Sequence, residues 1–114
     1  MRLEIVQLDP TTTRLELEGR MDAPGCERIE TAFTAAASAS GAHMLVDLRK
    51  VEFVGSLGVR LLISSARVIQ RRGRKMVIFG AQAQPMDVFE TVALPDLIPI
   101  VVDQDEALAL VAAG

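Results

Sequence analysis

Two hydrophobic periods run along the chain, and the places where one gives way to the other mark its elements. Apolar side chains at Leu3, Ile5 and Leu8, with polar residues between, predict a first strand over residues 2–8. Asp9-Pro10-Thr11-Thr12 is turn chemistry. Arg14-Leu15-Glu16-Leu17-Glu18 alternates strictly and predicts a second strand with one wet face, antiparallel to the first. Gly19 to Pro24 closes that strand and opens a helix, with Asp22 suited to cap and Pro24 to the first turn. Ile29, Ala32, Phe33 and Ala36 keep helical spacing, and Gly41 ends the run. Met44 to Leu48 is almost continuously apolar, as in strands buried on both faces.

A short turn then leads to Val59, Leu62, Ile63, Ala66 and Ile69, the stripe of an amphipathic helix stopped at Arg71-Arg72-Gly73. Met76-Val77-Ile78-Phe79 predicts another buried strand. Pro85 opens a short helix through Val88, Phe89 and Val92, which ends before Pro95. Leu97 to Val102 predicts a last strand, and its Pro99 favours a sheet edge. Asp103 to Glu106 has the spacing of a capping box, and a final helix runs through Leu108 and Leu110. This order predicts an α/β fold: a single domain over residues 1–114, mostly parallel sheet, one antiparallel strand near the N-terminus, helices packed on it. Sites in such sheets gather where strands end and helices begin. Three junctions qualify: Gly19–Pro24, Gly55–Gly58 and Gly80–Pro85.

Composition narrows the function. Half of the 114 residues are hydrophobic, enough for a core without staples. The net charge of -3 argues against a direct nucleic-acid binder. The basic run Arg71-Arg72-Gly73-Arg74-Lys75 reads as a helix end, where cations suit the dipole. Cys26 is the one cysteine, so a Cys-based metal cage is excluded and a reducing cytoplasm is expected. No apolar leader and no run near 18 apolar residues appear, so neither secretion nor membrane insertion is expected. His43 has no companion histidine for a metal or base role. No phosphate loop, no dinucleotide fingerprint, no zinc-helix motif and no nucleophilic triad is present. The expectation is no enzyme, no metal and no cofactor.

The candidate chemistry lies at Gly55-Ser56-Leu57-Gly58. A serine at a helix start sits over free backbone N–H groups, where a phosphate is favoured by the dipole. The alternative is a plain helix cap contributing about 1 kcal/mol. Asp22 reads either as a rim residue or as a cap, and Leu57 and Leu61 either as interface contacts or as core. Arg60 reads as a rim or a solvated helix residue, and Ser64 and Ser65 as packed helix serines.

These residues, in order, resemble the STAS domain of bacterial anti-sigma factor antagonists over essentially the whole chain. Gly19-Arg20-Met21-Asp22 is similar to the loop after that family's second strand. Leu45 to Val54 resembles its approach to the site, and Ser56-Leu57-Gly58-Val59-Arg60-Leu61-Leu62 its switch helix. Val77-Ile78-Phe79-Gly80 and Leu94 to Asp105 follow its tail. The resemblance implies a partner switch without catalysis. The antagonist binds a serine-kinase anti-sigma factor, is phosphorylated by it at the helix start, and is reset by a PP2C-type phosphatase. The implied partner surface is Asp22, Gly55, Ser56, Leu57, Gly58, Arg60 and Leu61, with Ser56 the phosphorylation candidate. One departure stands out: the family often reads Asp-Ser-Ser-Gly, so Leu57 occupies the usual acceptor position and Gly55 the acidic one. The second reading is a constitutive STAS subunit of a lipid-transport, transporter or sensor complex, without a phospho-switch. Either reading admits a homodimer through exposed apolar surface.

Overall fold

The structure is a computed structural model and describes residues 1–39 and 41–113. Five strands form one sheet in the order β1-β2-β3-β4-β5. β1 (Arg2–Asp9) and β2 (Thr12–Met21) pair antiparallel across the Asp9–Thr12 turn. β3 (His43–Val54), β4 (Met76–Phe79) and β5 (Ile100–Val101) each continue the sheet in parallel. Between them run α1 (Ala23–Ala39), α2 (Ser56–Arg71) and α3 (Ala83–Thr91), and α4 (Gln104–Ala112) closes the described chain.

The two-residue period of the strands divides the core. Leu15 and Leu17 of β2, with Met44, Val46 and Leu48 of β3, face the helix side. There they pack with Ile29 and Phe33 of α1, Leu62, Ala66 and Ile69 of α2, and Phe89 of α3. Leu45, Val77 and Phe79 point the other way, onto Ala107 and Val111 of α4. The almost continuously apolar Met44 to Leu48 is thus buried on both faces, as its composition requires. The one charged residue within it, Asp47, is held by Arg49, whose guanidinium forks onto the carboxylate at 2.7 to 3.2 Å.

Three boundaries differ from the sequence reading. β3 continues past Leu48 to Val54, because two irregularities in its pairing with β2 absorb the break in alternation at Arg49, Lys50 and Glu52. Its end is held from a distance: the Gln84 side chain accepts from Val54 N–H at 2.8 Å and donates to Val54 C=O at 3.3 Å, standing in for a neighbouring strand. The last strand shrinks from the expected Leu97–Val102 to Ile100–Val101. Leu94–Asp96 forms a 3-10 turn before it, and Ile98 N–H bonds back to Leu94 C=O. α3 begins at Ala83, two residues before Pro85, so the proline sits within the first turn.

The basic run ends α2 as expected. Gly73, at φ +74, lets Arg74 N–H reach Ile69 C=O and its own N–H reach Gln70 C=O, a Schellman close. Two of its cations bind carbonyls near the ends of neighbouring helices. Arg72 donates to Ser38 C=O of α1, and Lys75 Nζ donates to Leu110 C=O of α4 at 3.0 Å. His43 is buried at the head of β3, where its Nδ1 accepts from Lys75 N–H at 3.0 Å. That bond requires an unprotonated Nδ1. Burial and the nearby Arg74 and Lys75 charges hold the imidazole below its ordinary pKa.

Candidate functional site

The ends of β2 and β3 and the starts of α1 and α2 meet at one edge of the sheet. Gly55 N–H donates to Met21 C=O at 3.0 Å and ties the two junctions together. Gly58 allows α2 to descend directly onto them. A Cβ there would lie 3.0 Å from Met21 Cβ and 3.1 Å from Val54 Cγ1, tighter than ordinary carbon contacts.

Asp22 caps α1: its Oδ1 accepts from Gly25 N–H at 2.9 Å, and its C=O accepts from Cys26 N–H. Its second carboxylate oxygen lies 3.6 Å from Arg20 Nε. The Arg20 guanidinium in turn lies 4.4 Å from the centroid of the Phe53 ring.

Ser56 is not the cap of α2. Gly55, with extended backbone at φ -104, holds that place and Ser56 is the first helical residue. The Val59 N–H reaches Gly55 C=O at 3.1 Å, the first bond of the helix. No side chain caps this end, and Ser56 is exposed with no hydrogen-bond partner among the described residues. The capping reading of Ser56 is therefore corrected. The physical reason is that β3 holds its extended pairing through Val54, so the turn into the helix falls on the one residue left.

The candidate residues divide between two depressions. One, of about 200 Å³, is lined by Met21, Asp22, Ala23, Phe53, Gly55, Ser56 and Leu57. The other, of about 390 Å³, runs between α1 and α2. It is lined by Ala23, Cys26, Glu27, Glu30 and Thr34 from α1, and by Leu57, Arg60, Leu61 and Ser64 from α2. Leu57 borders both and is 42% exposed, a large apolar side chain held out toward solvent. Leu61 is 6% exposed and belongs to the core, contributing only the floor of the cleft. Gly58 is buried and shapes the site from beneath. Arg60 is exposed on the cleft wall.

Cys26 is buried. Burial, with the Asp22 and Glu30 charges, pushes its thiol pKa up and away from thiolate chemistry. Ser64 donates to Leu61 C=O at 3.2 Å, and Ser65 is buried in α2. Among the described residues no group of three or more His, Cys, Asp or Glu side chains is arranged to hold a metal. No helix among them is long and apolar enough to cross a membrane.

The sequence reading missed Arg20, Phe53, Glu27, Glu30 and Thr34. A signal for the α1 residues was present: Ala23, Glu27, Glu30 and Thr34 follow helical spacing on one stripe, as do Leu57, Arg60, Leu61 and Ser64 on α2. Arg20 and Phe53 carried no such signal. Their contact depends on the irregularity that pairs Arg20 with Phe53 rather than with Glu52.

The family model described as "Mlab, STAS domain" matches residues 5–101. The chain is 24% identical over 98 residues to the anti-sigma-B factor antagonist of Listeria monocytogenes, covering 86% of each chain. Among solved structures it is similar to an anti-sigma factor antagonist from Mycobacterium paratuberculosis. That match has a TM-score of 0.86 at 20% identity, over 97% of this chain and 93% of that one. It is also similar to the Bacillus cell-fate determinant SpoIIAA in its phosphorylated form, with a TM-score of 0.73 at 17% identity over 96% and 99% of the two chains. At these identities the structural likenesses establish the fold.

Proposed function

The chain belongs to the STAS domain family, and we propose that it acts there as an anti-sigma factor antagonist, a non-catalytic partner switch of the cytoplasm. It binds a serine-kinase anti-sigma factor through the surface formed by Asp22, Gly55, Ser56, Leu57 and Arg60, with Gly58 and Leu61 buried beneath it as its support. The observation that carries this reading is the exposed pair at the head of α2. Leu57 offers an apolar anchor between two depressions, and beside it Ser56 presents a hydroxyl that no protein group occupies. The similarity to the Listeria anti-sigma-B factor antagonist supports the same class.

The switch follows from charge. The kinase transfers the γ-phosphoryl group of ATP to Ser56 Oγ; the new P–O bond forms as the bond to ADP breaks and the hydroxyl proton leaves. The product adds roughly -1.5 to -2 charges to a depression that already holds Asp22. At an interface that charge must be desolvated and repels acidic partner groups, so the complex separates without refolding of the domain. A PP2C-type phosphatase hydrolyses the ester and restores binding.

Leu57 favours a second reading. It stands at the position that the family resemblance assigns to the usual acceptor, so the surface would serve a constitutive STAS subunit of a lipid-transport, transporter or sensor complex. One experiment separates the two. A serine-kinase anti-sigma factor that binds this chain is incubated with ATP and wild type or Ser56→Ala, and the products are run on a phosphate-affinity gel. A shift confined to wild type supports the switch. An equal shift in both removes Ser56 as the acceptor, and no shift in either with the complex intact leaves the constitutive reading.

A further inference from the structure

Resting on the reading of Ser56 as a phosphate acceptor, we infer that Arg20 is the counter-ion of the phosphorylated state. It exchanges the Asp22 carboxylate for the phosphoryl group when Ser56 is modified. The exchange is built from groups already in place. Arg20 stands opposite Phe53 in the sheet, one residue before the Met21 carbonyl that receives Gly55 N–H. Its guanidinium touches two walls of the Ser56 depression, Phe53 at 4.4 Å from the ring centroid and Asp22 at 3.6 Å. Phe53 itself reaches the turn, its Cε1 lying 3.4 Å from where a Cβ on Gly55 would be.

Arg20 is lightly held. Its contact with Asp22 is longer than a hydrogen bond, both partners are partly exposed, and its N–H groups have no hydrogen-bond partner among the described residues. Asp22 does not depend on it, because Oδ1 is fixed by Gly25 N–H. A phosphoryl group on Ser56 introduces a second anion into the depression that Asp22 lines. A dianion with three acceptor oxygens binds a guanidinium better than a single carboxylate oxygen at the edge of reach. Arg20 therefore moves to the phosphate, offsets its repulsion from Asp22, and leaves the cap of α1 unchanged. Arg60, four residues beyond Ser56 on α2, is the competing cation. It lines the other depression, the one that also holds Glu27 and Glu30.

The test installs phosphoserine at position 56 during translation, so it does not depend on any kinase. The second ionisation of the phosphate, ordinarily near pH 6, is followed by phosphorus NMR in the otherwise wild-type chain and in Arg20→Gln, Arg20→Lys and Arg60→Gln backgrounds. The expected result is a rise of about half a pH unit or more in Arg20→Gln, with Arg20→Lys and Arg60→Gln close to the wild-type background. Coincident titrations in the wild-type and Arg20→Gln chains overturn the assignment, as does a rise confined to Arg60→Gln. A kinase that leaves Ser56 unmodified defeats the acceptor reading through the gel experiment above, a result separate from this titration.

Discussion

Replacing Gly25 by alanine puts one methyl group where the fold has no room for it. The new Cβ would lie 1.9 Å from Arg20 C=O and 3.0 Å from Asp22 Oδ1. Ordinary carbon-to-oxygen contacts begin at about 3.3 Å, so the first turn of α1 must retreat from β2 by about 1.4 Å. The obstacle is backbone and cannot rotate away. Overpacking of this kind costs about 1–3 kcal/mol, and the retreat also weakens the Asp22 cap, worth about 1 kcal/mol. Alanine returns less than about 1 kcal/mol through helix propensity. The net loss is about 2–3 kcal/mol. With unfolding entropy near 2.1 cal/mol/K per residue, a chain of 114 residues loses about 4 °C for each kcal/mol, so the expected fall in Tm is roughly 8–12 °C. Thermal melts by circular dichroism, with urea titrations to confirm an unchanged m-value, measure it. Gly41→Ala is the control: its φ of +61 carries backbone strain but no atom lies within 4 Å of the new Cβ, so it loses only about 1–2 kcal/mol. A Gly25→Ala melt within 2 °C of wild type, or a loss no larger than that of Gly41→Ala, refutes the steric reasoning.

Other outcomes follow from the same contacts. Ser56→Ala is expected to change stability by less than about 0.5 kcal/mol, because Ser56 caps nothing, whereas Asp22→Ala loses about 1 kcal/mol with the cap of α1; paired urea titrations decide it. Burial by itself would raise the Asp47 pKa, but the Arg49 side chain, backbone N–H and charge outweigh it and hold the carboxyl below its ordinary value. Asp47 therefore contributes stability that is present above the unfolded value near 3.9 and lost as the pH falls through the lower folded value. Asp47→Asn should be less stable than wild type at pH 7, and the gap should close in acid melts below pH 4. His43, also lowered in the fold, binds its proton more readily when unfolded, so its contribution is present above about pH 6.5 and fades as the pH falls below that. The urea midpoint of wild type should drop between pH 7.5 and 5.5 by more than that of His43→Gln.

Much of this molecule could be read from contiguous residues. Strict alternation at Arg14 to Glu18, the apolar run at Met44 to Leu48 and the stripe from Val59 to Ile69 set the element types, because strand and helix periods are local properties. The Asp22 cap was equally legible, and so was the Asp103–Glu106 box. There Asp103 Oδ1 accepts from Glu106 N–H at 2.9 Å, and Glu106 Oε2 accepts from Val102 N–H at 3.0 Å. The order of these pieces was enough to show the family resemblance and to point to the turn before α2.

What the sequence could not settle depended on residues far apart in the chain. Gln84 holds the end of β3 from thirty residues away, and that bond lets Gly55 rather than Ser56 become the cap of α2. An irregularity between β2 and β3 sets Arg20 against Phe53 and so beside the Ser56 depression. Helix packing assigns Leu61 to the core while Leu57, one turn earlier, stays half exposed. Hydrophobic periodicity marks both leucines as apolar and near one stripe. Only the approach of α1 and the ends of β2 and β3 decides which of them water can reach, and therefore which a partner can touch.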